Sequence, residues 1–157
     1  MHKSRWTLLL ALVMLLSLAA CSGAPKVDWE LSISGDVVTP LTLTYSDLAG
    51  MELVALDEIM MEKSTGEDEI TSWSGVSLDM LLEQAGAGEF ATITAVASDG
   101  YAIEITADEL PGAIIALKDS GEWIADVNPD KGPIRLVTPE TPANRWVFAL
   151  TELQINQ

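Results

Sequence analysis

The sequence predicts an α+β domain built on mixed or antiparallel β-sheets, with one clear helix and a few short helical turns. Three observations predict it. Apolar residues alternate with polar ones in many short runs from residue 27 onward, the period of half-buried strands. Only one segment carries a helical apolar face bracketed by start and stop signals. Turn-forming pairs such as Gly35-Asp36, Asp99-Gly100 and Pro111-Gly112 separate the runs at close intervals. Many strands with few helices exclude a regular βαβ alternation and a helical bundle.

In chain order, Val27, Trp29, Leu31 and Ile33 alternate with Asp28, Glu30, Ser32 and Ser34 as a first strand, and Val37 to Leu43 reads as a second. Ser46 is expected to cap a short helical turn that ends at Gly50. A third strand runs from Glu52 to about Met61, the polar stretch Glu62 to Glu69 is a loop, and Ile70 to Trp73 is extended. Ser77 caps the clear helix, with Leu78, Leu81, Leu82 and Ala85 on one face and Gly86 as its stop. Thr92–Ala97 and Tyr101–Thr106 form a hairpin about Ser98-Asp99-Gly100. Ala113–Lys118, Ile134–Thr138 and Arg145–Ile155 supply the remaining strands.

The segment before this domain reads as a processing signal. His2, Lys3 and Arg5 give a basic start, and Thr7 to Ala20 is an apolar run. At about 14 residues that run falls short of the roughly 20 that span a bilayer. Leu18-Ala19-Ala20-Cys21 has the form of a lipobox, so residues 1–20 are expected to be a lipoprotein signal peptide and Cys21 to be lipidated. Residues 21–26 then form the lipidated cysteine and its tether, and residues 27–157 the domain. The expected location is extracytoplasmic, anchored to the membrane through lipid, in the periplasm or at the cell surface.

Cys21 is the only cysteine and His2 the only histidine, so residues 27–157 contain neither. Zinc sites, Cys–His nucleophiles and Ser–His–Asp triads are excluded on inventory. Of 24 acidic and eight basic residues, only Lys3 and Arg5 precede Cys21, so the exported part carries −18. Such a field repels nucleic acid. Asp126 to Gly132 resembles a calcium loop, but Lys131 and Val137 stand where glycine and glutamate are required, and no metal site is expected.

Several segments, taken together, resemble a known family. They are Trp73-Ser74-Gly75-Val76-Ser77-Leu78 with Leu81-Leu82 and Ala85-Gly86, Ser98-Asp99-Gly100-Tyr101, Gly132-Pro133-Ile134-Arg135-Leu136-Val137-Thr138-Pro139, and Arg145-Trp146-Val147. Their order is similar to the oxidoreductase molybdopterin-binding domain, the central domain of sulfite oxidases. The resemblance implies a sulfite-oxidase-like α+β fold over most of residues 27–157. In catalytic members it also implies molybdenum on a pterin, held by a cysteine in the loop before the Trp-x-Gly-Val motif. Met60 to Ser72 holds none, and Lys63, Ser64 or Thr65 cannot supply a soft thiolate. Phe148 stands where the resemblance implies a lysine, and Ala143-Asn144 where it implies Gly-Ala.

The missing thiolate weighs against an enzyme. The leading expectation is a non-catalytic, membrane-anchored binding module for a small molecule or a partner protein, with no cofactor. The alternative is an oxidoreductase or redox-complex component that retains molybdopterin without the cysteine. Candidate ligand-binding residues are Arg135 and Arg145, as bidentate guanidinium forks, and Tyr101, as a stacking surface beside an aromatic-lined pocket. Trp29, Trp73, Trp123 and Trp146 are expected to pack with their indole N–H groups satisfied.

Overall fold

The computed structural model describes residues 23–157; the expected signal peptide and lipidation site at Cys21 lie outside the described residues. Two sheets stack around the main core. The first has the order β2 (Leu41–Thr44), β1 (Glu30–Gly35), β11 (Leu150–Asn156), β5 (Thr92–Ala97), β6 (Ala102–Thr106). Its pairs are antiparallel except β1–β11, which run parallel with Ser32 opposite Glu152. The second, antiparallel sheet has the order β10 (Val147–Phe148), β9 (Arg135–Val137), β7 (Ile114–Asp119), β4 (Glu69–Ser77), β3 (Val54–Met61), with β8 (Glu122–Trp123) beside β7.

Strand alternation assigns the side chains to layers. Leu31, Ile33, Ile93, Ala95, Leu153 and Ile155 point inward from the first sheet and meet Val76, Ile115, Leu117 and Leu136 of the second. Burying each large aliphatic side chain contributes roughly 1.5–3 kcal/mol. The second sheet is covered on its other face too, by Trp73, Ile114, Ala116, Ile124, Val137 and Trp146. This is why Ile114 to Leu117 of β7 read as an unbroken apolar run.

The helix α2 (Leu78–Ala85) matches its sequence signal: Ser77 accepts from the Met80 N–H, Gly86 ends it in the left-handed region, and Leu78, Leu81, Leu82 and Ala85 are buried. The earlier helix α1 (Tyr45–Ala49) is capped by Thr44 rather than Ser46. Thr44 and Asp47 form a capping box in which the Asp47 N–H donates to Thr44 Oγ1 at 3.1 Å and the Thr44 N–H donates to Asp47 Oδ2 at 2.8 Å. The Thr44 hydroxyl, which donates to Asp47 Oδ2 at 2.6 Å, and then the Thr44 N–H hold the Asp47 carboxyl below its usual range. The second strand starts only at Leu41, because Pro40 lacks the N–H a ladder needs; Val37 makes just an isolated bridge to Ala87.

Two local features differ most from the expected continuous strand Arg145–Ile155. Pro142 starts a 3-10 turn over Ala143–Arg145, and Ala149 adopts a φ of 47°, which separates β10 from β11. Gly132 lies against that break: an added Cβ would sit 2.6 Å from Ala149 Cα. Its φ of 78° and bare Cα let the strand carrying Arg135 approach the strand carrying Phe148.

Candidate functional site

The site forms on the outer face of the second sheet, where strand pairing brings together residues distant in sequence. Arg135 on β9 lies opposite Phe148 on β10 and beside Ala116 on β7, while Trp73 comes from β4 two strands away. Trp146 precedes β10. Trp73 and Trp146 meet edge to face, with centroids 6.1 Å apart at 88°. Their indole nitrogens are anchored, Trp73 Nε1 donating to Thr71 Oγ1 at 2.9 Å and Trp146 Nε1 to the Thr138 carbonyl at 2.8 Å. The rings are thereby fixed before any ligand arrives.

Arg135 occupies the space these rings enclose. Its guanidinium carbon lies 3.6 Å from the Phe148 centroid and 5.0 Å from those of Trp73 and Trp146. The residue is only 4 % exposed, and its Nε is buried with no hydrogen-bond partner. Burial pulls its pKa down to about 10, opposed in part by the carboxylate of Asp119, so the group stays charged at neutral pH. Among the described residues, the two ion pairs are Lys63–Glu69 and Arg145–Glu109; Arg135 belongs to neither. A buried cation in an aromatic cage, without a direct ion-pair partner, is costly to the isolated fold.

The cage opens into a cleft of about 480 Å³. Lys131 lies over the other aromatic contact of the site, its Nζ 4.9 Å from the Phe148 centroid. Phe148 therefore bears two cations. Asn128 and Asn144 add amide donors to the lining, and Ser64 and Thr65 add hydroxyls. The donors outnumber the acidic groups Glu69 and Asp119, and Glu69 is occupied by Lys63 at 2.6 Å. The arrangement suits an oxyanion, which would receive charge-assisted hydrogen bonds from the cationic and amide groups of the lining.

Of the candidate ligand-binding residues Tyr101, Arg135 and Arg145, only Arg135 lines this cleft. Arg145 is turned into a strut: its Nε donates to Glu109 Oε1 at 2.8 Å, and Nη2 donates to Glu109 Oε2 at 2.6 Å and to the Glu104 carbonyl at 2.8 Å. The Arg145 hydrogen bonds hold the Glu109 carboxyl down to about 2. Tyr101 is half exposed at the start of the β5–β6 hairpin and its backbone N–H donates to Asp99 Oδ1; the aromatic-lined pocket forms without it. Trp29, Trp73 and Trp146 satisfy their indoles as expected, Trp29 by donating to the Leu150 carbonyl. The sequence reading did not assign Phe148, Lys131, Asn128 or Asn144 to a site. The one available signal was Phe148 in place of the implied lysine.

The metal end of the implied cofactor is not matched. The segment before Trp73 offers the cleft Met61, Lys63, Ser64, Thr65, Glu69, Ile70 and Thr71, which amount to hydroxyls, an ammonium, a carboxylate and a thioether. None replaces a thiolate on molybdenum. Among the described residues no group of three His, Cys, Asp or Glu side chains gathers to hold a metal ion.

Comparison with curated protein sequences returns no match. Among solved structures, the sulfane dehydrogenase SoxCD from Paracoccus pantotrophus is similar in fold, with a TM-score of 0.69 over 86 % of this chain at 22 % identity. The chain spans about 40 % of that neighbour's length. The profile of the oxidoreductase molybdopterin binding domain matches residues 21–157. With the match extending over every described residue, both sheets and the Arg135 cleft included, the chain belongs to the oxidoreductase molybdopterin-binding domain family.

Proposed function

We propose that this chain is a lipid-anchored, extracytoplasmic binding module that uses the molybdopterin-domain fold to hold a small anionic ligand without molybdenum turnover. The observation that carries the reading is the guanidinium of Arg135, buried, without an ion-pair partner and held by three aromatic rings at the wall of a cleft. The anchoring half of the reading is supported by the basic start, the short apolar run and Leu18-Ala19-Ala20-Cys21. No helix among the described residues is long and apolar enough to cross a membrane.

Binding follows from the chemistry of the lining. An oxyanion entering the cleft would lie near both Lys131 and Arg135, which share the Phe148 ring. Arg135 offers a planar fork, fixed in position by Phe148, Trp73 and Trp146, so little side-chain entropy is lost on binding. Asn128, Asn144 and the hydroxyls of Ser64 and Thr65 set orientation around that charge. The acidic surface elsewhere slows the approach of anions, so selectivity rests on the buried guanidinium of Arg135 and its neighbours rather than on long-range attraction.

A second reading draws on the same cations: a pterin held by its phosphate through Arg135 and Lys131, without the thiolate. Native against denaturing mass spectrometry, on protein extracted from its own host's membranes, separates the two. A noncovalent excess carried by an anion lacking molybdenum, on a chain that begins at acylated Cys21, is the expected result. An excess the size of a metal-bearing pterin would overturn the non-catalytic reading. A chain with unmodified Cys21 would overturn the anchor.

A further inference from the structure

A second concavity, sharing no lining residue with the Arg135 cleft, lies between α2 and the segment joining β6 to β7. It encloses about 430 Å³. Its floor is apolar, formed by Leu82, Phe90, Leu110 and Pro111, and its helical wall carries Asp79 and Glu83. Residues 79, 82 and 83 share one face of α2 because three- and four-residue spacings are neighbours on a helix. The two carboxylates are thus adjacent like charges on the rim of an apolar groove.

Asp79 suits the first turn of the helix, but the Glu83 end of the rim is unfavourable. Like charges four apart repel, and Glu83 stands in the last turn, where the helix dipole already places negative charge. The α2 sequence, Leu78 to Ala85, contains no lysine or arginine to offset them. Five cations of the domain lie at other places in the fold. Lys63 pairs with Glu69, Arg145 with Glu109, Lys118 lies over Trp123, and Lys131 and Arg135 lie against Phe148. Lys26, in the tether, is the remaining one among the described residues. A second copy of this chain is an unfavourable occupant, since it would bring further negative charge.

We infer that this groove docks a segment of a partner protein in which a lysine or arginine lies beside an apolar side chain, the cation bridging Asp79 and Glu83 and the apolar group resting on Leu82, Phe90 and Leu110. The partner is basic where this chain is acidic, so the pairing gives both attraction at a distance and a defined seat. Burial of the apolar group excludes water from the rim and strengthens the ion pairs.

The test titrates two labelled decapeptides, alternating Lys-Leu and alternating Gln-Leu, into the full-length lipoprotein held in neutral phosphatidylcholine nanodiscs at physiological salt. Three forms of the protein are compared: wild type, Asp79→Asn with Glu83→Gln, and Asp57→Asn with Glu58→Gln on exposed β3, each checked for an unchanged circular dichroism spectrum. The Lys-Leu peptide is expected to bind wild type and the β3 variant equally, and the α2 variant at least about five-fold more weakly, the scale of two surface ion pairs. Hydrogen exchange should slow in residues 78–85 on binding. The proposal is overturned by equal loss in both variants, by equal binding of the Gln-Leu peptide, or by no binding to wild type.

Discussion

Replacing Arg135 with methionine separates a ligand-binding role from a structural one. A buried residue touching three aromatic rings would ordinarily be a pillar of the fold, and its loss would cost about 1–3 kcal/mol. The energetics of this site give the opposite sign. The fall of the Arg135 pKa to about 10 equates to about 3 kcal/mol against the charged form. The orphaned Nε adds about 1 kcal/mol. Against these stand three cation–π contacts, together about 2 kcal/mol. Methionine keeps most of the apolar volume, so Arg135→Met should be neutral to about 2 kcal/mol stabilising, a rise of up to roughly 8 °C in Tm for a domain of this size. Thermal unfolding of the full-length chain in detergent, with and without sulfate, reads both halves of the argument. Wild type should gain stability with sulfate, about 2.7 kcal/mol at a hundred times Kd, and the variant should not. A loss exceeding 2 kcal/mol without sulfate, or a sulfate-linked gain that survives in the variant, would refute the reasoning.

Three other outcomes follow from the packing and the charges. Because its folded pKa is depressed, Glu109 stabilises the protein fully above the ordinary carboxylate range and loses that contribution as pH falls toward about 2; screened by solvent, the Arg145–Glu109 pair contributes about 1 kcal/mol. Glu109→Gln should therefore flatten the stability profile between pH 5 and pH 2, roughly the span of that titration, when melts are recorded across it; an unchanged slope counts against the strut. Gly75→Ala should disrupt the second sheet by roughly 3 kcal/mol or more, since an added Cβ would sit 2.0 Å from the Ile115 carbonyl oxygen; urea denaturation measures it, and a near-neutral result would contradict the register. Tyr45→Phe removes a buried hydroxyl that has no partner and whose pKa burial and Asp126 push up to about 12, so it should be neutral or stabilising by about 1 kcal/mol in the same assay; a clear loss would mean the hydroxyl is satisfied.

Local signals in the sequence carried much of the fold. Helix α2 was readable because Ser77, the four apolar positions and Gly86 all lie within ten residues and agree. The cap of α1 was misplaced by two residues because Ser46 is itself a good cap; the deciding feature was the reciprocal pairing of Thr44 with Asp47, three positions on. The site was much less legible. Arg135 could be named as a chemically capable fork, but its cage is assembled from β4, β9, β10 and the turn before β10, through pairings no local pattern encodes. Arg145 had the same credentials as Arg135 in the sequence, and only the fold brings Glu109 to it. Trp29, Trp73 and Trp146 were correctly read as packed and satisfied, and the packing of the last two is what makes the cage rigid.

The parallel pairing of β1 with β11 has a consequence for how the chain comes to be folded. Trp29 and Leu150 are joined by a hydrogen bond that spans 121 residues, and β11 is the central strand of its sheet. Until Leu150–Asn156 has arrived, that sheet exists only as two unconnected ribbons, β1–β2 and β5–β6, each too small to stand alone in water. Closure of so long a loop makes the step slow and places it last. A polypeptide threaded through a membrane from its amino end would for that reason stay extended until nearly all of it had crossed, a delay that keeps it able to pass through a narrow pore.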